Sequence, residues 1–132
     1  MRGMLAMLAM AAIVLNVGLA HAADVPVPLK TAKAGDLGEI LVGANGMTLY
    51  TFAKDKEEGK SSCNGSCAVI WPPFHPSAGA PAPTGALSAI TRDDGSKQYA
   101  YKGKPLYYYK NDEKPGDTTG HKLRDLWFVV QP

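Results

Sequence analysis

The chain is predicted to fold as an all-β domain with little helix, and three observations carry that expectation. Beyond Ala22 its strand-like segments are four to six residues long, separated by Gly, Pro, Asn and Asp, with no sustained helical period. Asn45-Gly46 stands between two β-prone runs, the usual mark of a hairpin. One ten-residue pattern also occurs twice, so the domain reads as two related β-hairpin units, closed as a sandwich or barrel-like.

In chain order, Met1 and Arg2 precede an almost wholly apolar run from Leu5 to Ala20. Ala20-His21-Ala22 then places small residues where a signal peptidase reads them. Residues 1–22 are expected to be a cleaved signal peptide, leaving 110 residues and no transmembrane segment. Residues 23–37, with Pro26 and Pro28, read as a lead-in segment. Glu39–Val42 and Met47–Phe52 are strand-like around the Asn45-Gly46 turn, and Asp55–Ser62 is a charged loop. Residues 72–85 hold five prolines and form a connector. Ala86–Thr91, Gln98–Tyr101 and Leu106–Tyr109 are strand-like again, followed by a polar loop and a closing strand at Leu126–Val130.

The repeat is gapless. Gly46-Met47-Thr48-Leu49-Tyr50-Thr51-Phe52-Ala53-Lys54-Asp55 aligns on Gly103-Lys104-Pro105-Leu106-Tyr107-Tyr108-Tyr109-Lys110-Asn111-Asp112, sharing G-x-x-L-Y-x-[FY]-x-x-D at an offset of 57. Trp71 follows the first copy by sixteen residues and Trp127 follows the second by fifteen. The expected domain is 38–132, made of repeats at about 38–73 and 86–132 related by a pseudo-twofold axis. Strand alternation puts Tyr50 with Phe52, and Tyr107 with Tyr109, on one face and Leu49 and Leu106 on the other. Gly46 and Gly103 permit the turns that launch each strand. Asp55 and Asp112 fall where a carboxylate accepts N–H groups of the following loop, and Trp71 and Trp127 are expected core fillers.

Together these motifs resemble the bacterial predicted lipoprotein family with the Y-x-[FWY]-x-x-D motif, the secreted repeat of unknown function. The likeness adds C-x-x-x-C-A-x-x-W-P-P and W-x-V-V-x-P, and covers about residues 38–132. It implies an exported β-repeat domain whose biochemical role is not established. Many members of that family carry a lipidated cysteine after the signal. Ala20-His21-Ala22-Ala23 has none, so a free periplasmic or secreted protein without a lipid is expected.

Function is bounded by charge and by the two cysteines. Fourteen basic and twelve acidic side chains are scattered along the chain, without the basic stripe that nucleic acid requires. In an oxidising compartment Cys63 and Cys67, four positions apart, are expected to be a disulfide staple. The alternative is a redox or copper site of Cys63 and Cys67 with His75 or His121, a soft donor set suited to copper. Another alternative is a glycan-binding tyrosine platform, since five of six tyrosines lie between Tyr99 and Tyr109. No G-x-S-x-G, phosphate loop or H-E-x-x-H is present, so no catalytic residue and no cofactor are expected. The leading expectation is an exported binding module or envelope component for a partner or small ligand that the sequence does not name.

Overall fold

The structure is a computed structural model that describes residues 25–132, so the signal-peptide expectation for 1–22 lies outside the described residues. Strands dominate it. They are β1 (Lys30–Lys33), β2 (Glu39–Val42), β3 (Tyr50–Phe52), β4 (Leu87–Thr91), β5 (Lys97–Tyr101), β6 (Lys104–Pro105) and β7 (Trp127–Val129). A five-residue helix α1 (Ser66–Ile70) and two short 3-10 turns, Gly35–Leu37 and Leu123–Asp125, complete the described elements. All strand pairings are antiparallel: β1 with β2, β3 with β7, β4 with β5, and β5 with β6.

β1 lies inside the segment read from sequence as a lead-in. Lys30-Thr31-Ala32-Lys33 carries no apolar alternation because it is an edge strand whose side chains are mostly solvated. Its counterpart 57 residues on is Leu87, the first residue of β4; β1 extends the first hairpin unit as a β1-β2 pair with a single bridge from Val42 to Thr48, and β4 extends the second as the sheet β4-β5-β6. The connector also begins later than its prolines suggest. Pro73 bridges Tyr107, and Phe74 is buried and donates its N–H to the Leu106 carbonyl at 3.0 Å.

The repeats meet at one pair of equivalent residues. Tyr50 donates its N–H to the Tyr107 carbonyl at 2.8 Å, and Tyr107 returns the bond at 2.9 Å. An antiparallel pair that exchanges both bonds is twofold by construction when its two residues are equivalent. The pseudo-twofold axis therefore passes between Tyr50 and Tyr107.

Around that axis each repeat completes the other. Tyr50 also pairs with Val129, in the tail of the second repeat, and Tyr107 pairs with Pro73, in the tail of the first. The central ribbon thus runs Val129, Tyr50, Tyr107, Pro73, with each outer segment supplied by the opposite copy. Its two faces bury different cores, as the strand alternation predicts. Leu49 and Leu106 join Leu29, Leu41, Leu87 and Tyr99 on one side. Tyr50 and Tyr107 join Cys63, Trp71 and Trp127 on the other, with Phe52 and Tyr109 packed against them.

Candidate functional site

The repeat motif is a cross-repeat lock. Tyr50 donates its hydroxyl to Asp112 Oδ2 at 2.6 Å, and Tyr107 donates to Asp55 Oδ2 at 2.6 Å. Each aspartate turns its other oxygen to its own loop. Asp55 Oδ1 accepts the Ser62 N–H at 2.6 Å, and Asp112 Oδ1 accepts the Thr119 N–H at 3.0 Å and its hydroxyl at 2.6 Å. Ser62 and Thr119 are themselves 57 apart, a third repeat position that the sequence pattern held but that the motif omits. Burial, together with the carboxylates that accept their protons, pushes both phenols well above the ordinary tyrosine range. Burial raises Asp55 above the usual carboxylate range, although Tyr107, Ser62 and Arg92 all pull the other way. These aspartates are structural acceptors held in place on both oxygens.

Gly46 and Gly103 both sit at φ 81°, a left-handed backbone that suits glycine at the two strand-launching turns. The symmetry breaks at Arg92, whose counterpart is Gly35. Its buried guanidinium donates to Gln98 Oε1 at 2.7 Å, Ser61 Oγ at 3.0 Å, the Cys63 carbonyl at 2.6 Å and Asn64 Oδ1 at 3.2 Å. Gln98, fully buried, passes its amide proton on to the Leu106 carbonyl at 2.8 Å. A buried cation is tolerated only when its donors are met in this way. Arg92 and Gln98 escaped the sequence reading because neither belongs to a repeated position.

Cys63 and Cys67 form a disulfide with a Cα separation of 5.3 Å, and no free cysteine remains among the described residues. Neither sulfur is then a thiolate ligand. His75 is exposed, with Nδ1 2.6 Å from the Lys97 carbonyl, and His121 Nδ1 accepts the Val129 N–H at 3.1 Å. Among the described residues no group of three or more His, Cys, Asp or Glu is placed to hold a metal. Of the platform tyrosines, Tyr99, Tyr101 and Tyr107 are buried in the two cores, whereas Tyr109 is half-buried against Trp71. Tyr108 is partly buried, its phenol pushed up to about 12 by burial alone.

What the structure does bring together is an open groove of about 500 Å³ beside the pseudo-twofold axis. Its floor is a stack of four rings in the order Phe52, Trp127, Trp71, Tyr109. Centroids are 4.1, 3.8 and 4.2 Å apart, and the two indoles are nearly parallel at 3°. Phe52 and Tyr109 are equivalent residues, as are the tryptophans, and each outer ring stacks on the indole of the opposite repeat. Both faces of each indole are covered, so only their edges reach the groove. Tyr50 and Tyr107 close the stack from behind, edge-on to Trp71 at 5.4 Å and to Trp127 at 5.3 Å.

One wall is α1, contributing Cys67 and the 45% exposed Ile70. Leu123 and Leu126 add apolar lining, and Lys110, Asn111 and Arg124 are its polar members. Lys122 and Arg124 have φ 63° and 54°, a conformation that residues other than Gly, Asn and Asp avoid, and Asp125 follows at φ 56°. The turn is held by the Lys122 N–H to the Trp127 carbonyl at 2.7 Å, and the neighbouring His121–Val129 bond ties its start to β7. Strained backbone of this kind concentrates where a loop must present particular side chains. Lys110 and Arg124 were not foreseen, because each reads as one more scattered surface charge.

No helix among the described residues is long and apolar enough to cross a membrane. No curated protein and no solved structure matches the chain. A family model described as a secreted repeat of unknown function matches twice, at residues 31–75 and 88–131, the two copies whose tails, aspartates and rings are exchanged about the axis. On that match the chain belongs to the family of secreted repeats of unknown function.

Proposed function

We propose that the protein is an exported, periplasmic binding module whose ligand site is the groove over the Trp71–Trp127 stack. The observation that carries this reading is the open space of about 500 Å³ bounded by aromatic edges, leucine and isoleucine side chains and a few polar groups. That size and lining are typical of a small-ligand site. The two carboxylates of the repeat motif have both oxygens engaged in fixing the fold, which leaves binding rather than proton transfer as the chemistry the site supports.

Amide NMR of the mature protein titrated with a panel of flat apolar compounds tests the site. Shifts confined to Phe52, Trp71, Tyr109, Leu123 and Trp127 are expected. Binding that maps elsewhere, or no binding across the panel, ends this reading. Cell fractionation and N-terminal sequencing test the export. Recovery in the periplasmic fraction with Ala23 as first residue is expected, and an intact Met1 in the cytoplasm contradicts it.

A further inference from the structure

We infer that the groove selects a small anion carrying a flat apolar body, with Lys110 and Arg124 as its counter-charges. This rests on the groove being the binding site and goes on to name the chemistry it accepts. Lys110 and Arg124 line the groove, and no Asp or Glu does. The only ion pair among the described residues is Lys60–Glu57, which leaves both groove cations without a carboxylate partner there.

The two indoles of the floor have the same sign. An aromatic ring is negative on its faces and positive at its edge. Trp127 is sandwiched between Phe52 and Trp71, and Trp71 between Trp127 and Tyr109, so each indole can direct only its positive edge toward the groove. A cationic ligand, which seeks open ring faces, finds none on the indoles. An anion meets two basic groups and two positive edges, while Ile70, Leu123 and Leu126 cover an apolar body. Arg124 holds its place in the groove lining on a left-handed backbone, φ 54°.

Three probes of one shape separate the possibilities: naphthoate, naphthamide and naphthylmethylammonium, titrated into the mature protein by tryptophan fluorescence and amide NMR. Naphthoate is expected to bind about tenfold or more tighter than naphthamide, the value of a hydrogen bond to a charged group. Naphthylmethylammonium is expected to bind weakest, and added salt should erode the preference. Lys110→Gln and Arg124→Asn should each lower the naphthoate preference several-fold; asparagine tolerates the left-handed backbone, so the turn is retained. Lys54→Gln, a lysine outside the groove lining, should leave it unchanged.

Equal binding of naphthoate and naphthamide with shifts still in the groove overturns the anion inference and leaves the groove reading intact. A preference that survives both substitutions does the same. No groove shift with any of the three probes removes the groove reading itself.

Discussion

Replacing Tyr50 by Phe removes one oxygen atom and leaves the ring against Trp71. That oxygen donates to Asp112 Oδ2 at 2.6 Å and accepts the Gly120 N–H at 3.3 Å, so its loss strips a buried carboxylate of one donor. A hydrogen bond to a charged group contributes about 1.5–3 kcal/mol. With an unfolding entropy of about 2.1 cal/mol/K per residue over roughly 110 residues, a loss of about 2 kcal/mol lowers Tm by about 9 °C. The pairwise share comes from a double-mutant cycle with Asp112→Ala in urea. A coupling of about 1.5 kcal/mol or more is expected between positions 62 apart in sequence. The pseudo-symmetric cycle, Tyr107→Phe with Asp55→Ala, should give a similar coupling through its own 2.6 Å bond. Additivity within about 0.5 kcal/mol in both cycles would refute the cross-repeat lock.

Other perturbations probe separate parts of the structure. A Cβ on Gly120 would lie 2.7 Å from the Trp71 ring and 2.9 Å from Tyr109, so Gly120→Ala should cost about 1–3 kcal/mol in urea unfolding and weaken probe binding at the same time. An unchanged urea midpoint would mean that the indole is not held there. Replacing both Cys63 and Cys67 by Ser should cost about 2 kcal/mol, the closure entropy of so small a loop, and a melt identical to the parent would contradict a structural bridge. Burial first, and then Lys122, hold His121 below the ordinary imidazole range, so the fold favours the neutral ring whose Nδ1 accepts from Val129. The unfolded chain then binds the proton more readily. The stability from this group is complete above the ordinary histidine pKa of about 6.5 and is lost as pH falls through the depressed folded value. Urea midpoints measured between about pH 8 and about pH 5.5 should fall less steeply in His121→Gln than in the parent; equal slopes would remove His121 as the cause.

The repeated motif made much of this legible in advance. Alternation along Leu49-Tyr50-Thr51-Phe52 and its copy put leucines and aromatics on opposite faces, and the structure uses both faces for cores. The offset of 57 gave the pseudo-twofold relation. What it could not give is which copy each residue contacts, because Tyr50 to Asp112 and Tyr50 to Asp55 look alike in a periodic sequence. The exchange emerges only once the tails cross the axis. β1 was missed because an edge strand needs no apolar pattern. Lys110 and Arg124 were missed because a charge gains meaning only from the groove beside it, and the turn that places Arg124 has left-handed residues without the glycine that usually marks them.

Mutual completion of the two repeats is the claim on which the groove depends, since its floor takes one indole and one outer ring from each. Separate expression of residues 25–80 and 81–132, followed by mixing, tests it most directly. Neither fragment alone should show dispersed amide resonances, and the mixture should recover the spectrum of the intact domain as a one-to-one complex. A well-dispersed spectrum from either fragment by itself would contradict the account.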